Sequence, residues 1–158
     1  MNREEKMSYL IRSLATEGGY QKPDEMAEAS DKWSILRSLF NLREPHTASE
    51  EFLEIQNDLL RELTEEKGIT DCKDLEIRNG ISLWQGDITT LKCDAIVNAA
   101  NKSMLGCFQP LHNCIDNAIH TYAGIQLRNE CYEKMQSMKY LATGKAVITG
   151  SYNLPSEY

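Results

Sequence analysis

The chain has 158 residues, of which 41% are hydrophobic, and a net charge of −7. This length allows one globular core, or one small domain with an extension. The excess of acidic residues lies before residue 81, and this acidic half carries no basic patch. The charge pattern therefore argues against binding to a nucleic-acid backbone.

Targeting features are absent from the sequence. No apolar run is long enough to cross a bilayer, and residues 1–10 do not have the pattern of a signal peptide. We therefore expect a cytoplasmic protein without a membrane partner. The cysteines number five, and in a reducing compartment clustered cysteines indicate metal ligands or reactive thiols rather than disulfides.

Residues 1–70 are predicted to be helical, because apolar residues recur there at the spacing of one helix face. The three stripes are Met7, Leu10, Ile11 and Leu14; Trp33, Leu36, Leu39 and Phe40; and Phe52, Ile55, Leu59 and Leu63. Gly18-Gly19 and Pro45-His46 mark breaks, Thr47–Glu50 fits a capping box, and Gly68 is a stop signal. The simplest interpretation is a structural extension that packs on the next domain.

The second half predicts strands that alternate with a helix. Short apolar runs of strand type occur at Ile81–Gln85, Ala95–Val97 and Ala146–Ile148. Between the last two runs, residues 116–138 predict one helix. Its apolar face carries Ile119, Ala123, Leu127, Cys131 and Met135. This order indicates the α/β class with a mostly parallel sheet, so we expect a helical extension over residues 1–75 and an α/β domain over 76–158.

Two cysteines and a histidine lie close together in the segment Gly106–Cys114. Thiolate and imidazole are preferred ligands of Zn²⁺, so Cys107, His112 and Cys114 predict a metal site; a loop with buried thiols is the alternative. No other residue is an obvious fourth ligand, since Cys131 belongs to the apolar stripe. Three protein ligands with an open fourth position are typical of a catalytic rather than a structural zinc ion.

Polar side chains follow two of the predicted strands. Asp87 comes after the first strand, and Asn98 and Asn101 follow the second. Ligands of open α/β sheets bind at the carboxyl ends of strands, and asparagine can both donate to and accept from sugar hydroxyls. Taken singly, each stretch also fits a polar turn without a ligand.

Three motifs in one order are more specific than any of them alone. They are GDIT at Gly86–Thr89, DAIVNAAN at Asp94–Asn101, and IDNAIH at Ile115–His120, which opens a helix. Together they resemble the macrodomain family, which binds ADP-ribose. Most members carry a glycine-rich loop before the third motif, whereas Met104–Cys114 stands there in this sequence. That replacement, with the helical extension, resembles the zinc-containing microbial branch of the family.

The resemblance implies a macrodomain-like three-layer α/β/α sandwich, incomplete here, and an ADP-ribose site. By similarity, Asp87 would bond the adenine amino group, and the backbone of Ile88 would help to seat the base and phosphates. Asn98 would also bind ADP-ribose. Asn101 would bond the ribose next to the scissile link.

The zinc-containing branch removes ADP-ribose from modified protein side chains. The resemblance therefore implies a hydrolase that acts on ADP-ribosylated protein, with Asn101 and Asp116 as catalytic residues. Cys107, His112 and Cys114 would hold one zinc ion beside the ribose, with the fourth position open. A sirtuin-like ADP-ribosyltransferase is the implied partner system.

Family members continue beyond the segment Asn153–Ser156 with more strands, more helices and a second glycine-rich loop for the diphosphate. We therefore expect this chain to cover only the N-terminal part of a macrodomain, with low stability and low activity. Two other functions stay open. One is a reader that binds ADP-ribose without cleaving it, and the other is a zinc-bound interaction fragment with no nucleotide role.

Overall fold

The computed structural model describes residues 1–20 and 29–158. Within these ranges the elements in chain order are α1 (Arg3–Glu17), α2 (Ala29–Leu42), α3 (Glu50–Lys67), β1 (Thr70–Asp71), β2 (Leu91–Lys92), α4 (Ile115–Ala123) and α5 (Ile125–Met138). Short 3₁₀ turns occupy Cys72–Asp74 and Ile88–Thr90. Helices combined with a small parallel sheet confirm the predicted α/β class. None of the helices in the described ranges has the length and apolar character needed to span a membrane.

The three stripes predicted in the first half form a common core between α1, α2 and α3. Leu10, Leu36 and Leu59 are completely buried there, and Ile125 of α5 joins the same cluster. Burying these side chains removes a large apolar area from water, which stabilises the three-helix packing. Helices from both halves of the chain therefore share one core.

The helix ends follow ordinary capping chemistry. Gly18 ends α1, and Gly68 ends α3 with a φ of +85°, so both predicted stops are confirmed. The capping box predicted at Thr47–Glu50 is wrong. The N-cap of α3 is Ser49, whose hydroxyl accepts a hydrogen bond from the N–H of Phe52 at 3.2 Å, because an N-cap oxygen must reach an amide in the first turn.

The single helix predicted over residues 116–138 is wrong, because Gly124 divides it into α4 and α5. Gly124 has a φ of +92°, which favours glycine. Gln56 of α3 is fully buried beside this break, and its Oε1 accepts a hydrogen bond from the N–H of Ile125 at 3.0 Å. A side chain from another helix thus satisfies the first free amide of α5.

The apolar face predicted for that helix is nevertheless confirmed. It forms a second core, which contains Met104, Ile119, Ala123, Leu127, Cys131, Met135 and Leu154. Residues of α4 and of α5 therefore share this core, although Gly124 interrupts the helix between them.

The strands predicted at 81–85, 95–97 and 146–148 are wrong. Ile81 makes only an isolated bridge with Arg78, and Leu83 and Val97 are 99% and 84% exposed. A strand needs a hydrogen-bonded neighbour as well as a strand-like pattern. β1 and β2 do have one, since Thr70 pairs with Leu91 and Asp71 with Lys92 in parallel register. β1 lies before the boundary expected at residue 75, and β2 lies after it, so the two predicted parts share this sheet. The division of the chain at residue 75 stays a prediction.

Candidate functional site

The three predicted metal ligands converge on one point. The ligand atoms of Cys107, His112 and Cys114 all lie within 4.8 Å of one another, and Cys107 Sγ is 3.5 Å from His112 Nδ1. All three side chains are at least partly accessible, and both cysteines are free thiols. Two sulfur atoms and one imidazole nitrogen are a donor set that zinc prefers, so these residues fit a zinc ion.

The last ligand is fixed by the start of a helix. Cys114 is the N-cap of α4, and its Sγ accepts a hydrogen bond from the backbone N–H of Asn117 at 3.4 Å. This hydrogen bond fixes the sulfur atom at the start of α4, and thiolate is the form of cysteine that binds metal. The local sequence thus positions Cys114 for metal binding.

The first ligand follows a glycine that no other residue could easily replace. Gly106 has a φ of +79°, and a Cβ built there would lie 2.8 Å from Cγ of the His120 ring. The carbonyl of Gly106 accepts a hydrogen bond from Asn101 Nδ2 at 2.9 Å. The three candidate ligands lie in residues 106–114, which we call the metal loop. Gly106 therefore brings the start of this loop against α4 and against the DAIVNAAN segment.

Asp116 lies at the centre of a polar network formed by two predicted site residues. Its Oδ1 accepts a hydrogen bond from Asn98 Nδ2 at 2.9 Å, and its Oδ2 accepts one from Asn101 Nδ2 at 3.4 Å. Ser103 donates through its N–H and its hydroxyl to Asn101 Oδ1, at 3.0 and 2.6 Å. The Asn101 amide is thereby held with its NH₂ group towards Asp116.

Burial sets the electrostatics of this network. Asp116 is 5% exposed and His120 is 6% exposed. Desolvation raises the pKa of Asp116 despite opposing effects of the hydrogen bond from Asn98 and the charge of Arg128. Desolvation and the Arg128 charge lower the pKa of His120 to about 3. His120 is therefore neutral at pH 7, and its 3.5 Å approach from Nε2 to Asp116 Oδ1 is a polar contact rather than an ion pair.

An open cleft of about 490 Å³ joins the metal ligands to this network. Its lining comprises Ala99, Ala100, Asn101, Ser103, Gly106, Cys107, Phe108, His112, Cys114, Ile115 and Asp116. Five of the predicted site residues therefore meet in one cleft. Asn98 lines a neighbouring, largely apolar cleft of about 530 Å³ and reaches the first one through its bond to Asp116.

Asp87 and Ile88 are not among the residues that line this cleft. Asp87 caps the 3₁₀ turn by accepting from the N–H of Thr89 at 2.9 Å, and Lys67 Nζ at the end of α3 lies 2.8 Å from its Oδ2. Burial raises the pKa of Asp87, but the hydrogen bonds from Lys67 and Thr89 outweigh that effect and hold the pKa below its ordinary value. Ile88 packs against the second core.

Sequence reasoning did not assign two residues of α4 and α5 to the site, His120 and Arg128. The spacing of Asp116 and His120 by one helical turn is a usable signal for their contact. No such signal marks Arg128, whose guanidinium carbon lies 4.3 Å from the ring centroid of Phe108 in the metal loop. Arg128 Nη1 also donates to main-chain carbonyls at the end of α2, namely those of Phe40, Asn41 and Arg43.

A comparison with known protein families matches the second half of the chain. Residues 97–158 match the family model described as Macro domain, so this part of the chain belongs to the macro domain family. The matched range contains the DAIVNAAN asparagines, the metal loop and the Asp116 network.

Several curated relatives extend the similarity across the whole chain. A protein-ADP-ribose hydrolase of Treponema medium is 46% identical over 168 residues, which cover 100% of this chain and 63% of that protein. A protein-ADP-ribose hydrolase of Staphylococcus aureus (strain MRSA252) is 45% identical over 97% of this chain and 59% of its own length. The chain thus spans about three fifths of the length of these relatives.

A third relative is more distant. A probable bifunctional ADP-ribose hydrolase/ADP-ribosyltransferase of Fusarium oxysporum f. sp. cubense is 39% identical over 140 residues, which cover 80% of this chain and 24% of that protein.

Proposed function

We propose that the protein is a zinc-dependent hydrolase that removes ADP-ribose from modified protein side chains. One observation carries this proposal: Cys107, His112 and Cys114 converge at the edge of the cleft that also contains Asn101 and Asp116. A protein that only binds ADP-ribose has no need for a metal site with an open position. The names of the bacterial relatives support the same reaction and substrate class.

In this proposal the ADP-ribose extends along the segments that carry the three motifs. Asp87 accepts a hydrogen bond from the adenine amino group, and the backbone of Ile88 seats the base and phosphates. Asp87 is held as a carboxylate by Lys67, which suits an acceptor. Asn98 contributes to ADP-ribose binding beside the distal ribose.

Asn101 and Asp116 act on the ribose next to the scissile bond. The fixed Asn101 amide orients a sugar hydroxyl. The Asp116 carboxylate, already bonded to Asn98 and Asn101, accepts a hydrogen bond from the ribose or from the attacking water. Cys107, His112 and Cys114 would hold the zinc ion, which supplies Lewis-acid polarisation when bound. The protein thus provides orientation, and a bound metal would provide Lewis acidity.

Substitution of the metal ligands tests this assignment. We expect Cys107→Ala and Cys114→Ala to lose zinc and hydrolysis while they keep most of the affinity for free ADP-ribose. Cys72→Ala, which changes a cysteine outside the cleft, is the matched control. Release of ADP-ribose from a modified protein gives the rate, and titration calorimetry gives the affinity. Full hydrolysis by either ligand variant would contradict the proposal.

The same two measurements separate the other functions. A reader would give heat with ADP-ribose but no release by the zinc-loaded chain. A zinc-bound interaction fragment would give neither. The low stability and activity expected of this chain stay predictions, and a cooperative melt with normal turnover would contradict them.

The partner system and the location are also proposals. An ADP-ribosyltransferase as the source of the substrate is supported by the name of the Fusarium relative, which joins the two activities. Its sirtuin-like character and a cytoplasmic location stay predictions from the sequence.

A further inference from the structure

Two polar side chains of α2 contact the metal loop and α4 together. Arg37 and Asn41 are one helical turn apart and therefore lie on the same face of α2. Arg37 Nη2 donates to the carbonyl of His112 at 2.9 Å, and Asn41 Oδ1 accepts from the N–H of Leu111 at 3.0 Å. Both contacts hold main-chain groups of the loop at or next to a metal ligand.

A second pair of contacts ties the same face of α2 to α4. The Arg37 guanidinium donates from Nε and Nη2 to Asn117 Oδ1, at 3.2 and 2.8 Å. Asn41 Nδ2 donates to Thr121 Oγ1 at 3.3 Å. Asn117 is fully buried, and its own Nδ2 donates to the carbonyl of Gln109 in the loop at 3.1 Å. Its backbone N–H is the donor to Cys114 Sγ.

Burial contributes little to the shape of the loop tip. The side chains of Leu111 and His112 are exposed, so burial does not fix the imidazole. Leu111 has a φ of +57°, a left-handed conformation that is strained for a branched side chain and needs support from its surroundings. The hydrogen bond from its N–H to Asn41 provides such support.

We propose that Arg37, assisted by Asn41, is a positioning residue that holds His112 and Cys114 in the geometry for metal binding before the metal arrives. This role rests on the zinc site of the proposed function. The sequence alone suggests only a structural role for the helical extension. The positioning role makes α2, a helix of this extension, part of the candidate site. Supporting groups of this kind change metal affinity by about 10- to 100-fold.

Zinc affinity of the whole chain, measured by competition with a chromogenic chelator, tests the role. We expect Arg37→Ala to bind zinc about 10- to 100-fold more weakly, and Arg37→Lys to recover part of the loss, because lysine keeps the charge but not the planar fork of donors. Arg12→Ala, an exposed arginine of α1, is the matched control and should bind as the unsubstituted chain does. Circular dichroism of each metal-free variant reports folding.

Cobalt(II) in place of zinc adds a readout that loss of stability alone would not change. The visible bands of Co²⁺ depend on ligand geometry, so Arg37→Ala should alter them even when the site is saturated. Zinc affinity within twofold of the unsubstituted chain, with unchanged cobalt bands, would overturn the role. If Arg37→Ala does not fold, Arg37→Lys and Asn41→Ala decide by the same criteria.

Failure of this role is distinguishable from failure of the proposed function. Tight zinc binding by Arg37→Ala contradicts only the positioning role. Weakened binding in a protein that never releases ADP-ribose supports the role and contradicts the hydrolase. If the unsubstituted chain does not bind zinc, both are wrong.

Discussion

Replacement of Gly106 by alanine tests how tightly the metal loop is packed against α4. The new Cβ would lie 2.8, 2.9 and 3.0 Å from Cγ, Cδ2 and Nδ1 of the His120 ring. Real Cβ atoms essentially never make contacts below 3.0 Å. The ring is 6% exposed and lies against Asp116, so it has little room to move. We therefore expect the loop to shift instead.

Gly144 is a matched control because it has the same φ of +79°, while a Cβ at this position would have no heavy atom within 4 Å. Alanine in this backbone conformation costs about 1–2 kcal/mol at either position. Only Gly106→Ala adds the steric conflict with His120, and overpacking of this kind costs about 1–3 kcal/mol. The expected loss in the free energy of unfolding is thus about 2–5 kcal/mol for Gly106→Ala and about 1–2 kcal/mol for Gly144→Ala.

Urea denaturation followed by circular dichroism measures both losses, and the chelator competition measures zinc affinity on the same samples. We expect Gly106→Ala alone to weaken zinc binding, because Cys107 follows it directly. Equal destabilisation by the two substitutions, with equal zinc affinity, would refute the close packing between the loop and His120.

Three further predictions concern other parts of the fold. Gln56→Ala should lower the free energy of unfolding by about 1–3 kcal/mol, because it leaves the buried N–H of Ile125 without a partner. Lys67→Met should cost about 1–1.5 kcal/mol at pH 7, because it removes the solvent-screened pair with Asp87, worth about 0.5 kcal/mol, and the contact of Lys67 Nζ with the Tyr122 ring, worth about 0.5–1 kcal/mol. The pKa of Asp87 is lower in the folded state than in the unfolded state. The ion pair therefore stabilises the fold fully above the unfolded-state pKa of Asp87, and this stabilisation is lost as the pH falls through the folded-state pKa. The Cys131 thiol should react with a thiol reagent at pH 8 only after unfolding, because desolvation raises its pKa to about 11.

Each of these predictions has a simple check. Gln136→Ala changes an exposed position of α5 and is the control for Gln56→Ala. In urea titrations, Gln136→Ala should leave the free energy of unfolding almost unchanged, whereas Gln56→Ala should lower it. The loss in the free energy of unfolding caused by Lys67→Met should be smaller at pH 3 than at pH 7. A larger loss at pH 3 would contradict the ion pair with Asp87. Mass spectrometry of native, reagent-treated protein should find Cys131 unmodified, and rapid labelling would show that the second core is open.

Side-chain periodicity predicted the helices and both cores well, because burial of one helix face is a local property of the sequence. Leu10, Leu36 and Leu59 are all fully buried as their spacing indicates. The break at Gly124 could not be found in this way, since the apolar spacing of α4 continues into α5. The residue that stabilises the break, Gln56, lies 69 positions away from Ile125 along the chain.

The strand predictions were wrong for a related reason. The patterns at Ile81–Gln85 and Ala95–Val97 describe side chains, whereas a sheet is made by backbone partners. The segment around Ile96 is bonded instead to the end of the chain, with the Ile96 N–H donating to the Tyr158 carbonyl at 2.9 Å.

The structure brings five of the predicted site residues together, whereas it does not form the predicted strands. Ligand chemistry and the motif order together indicated the metal triad, Asn101 and Asp116, and these residues do share a cleft. The positions of Arg37 and Lys67 could not be predicted, because their contacts join helices of the extension to segments 20 to 80 residues away. Such contacts depend on how helices pack, which no local pattern records.

The rate of ADP-ribose release before and after removal of metal tests the central claim most directly. The purified chain would be stripped with a chelator, assayed on an ADP-ribosylated protein, then reloaded with one equivalent of zinc and assayed again. The proposal predicts loss of release in the stripped protein and its return on reloading, with free ADP-ribose bound in both states. Release at the same rate by the metal-free protein would contradict it.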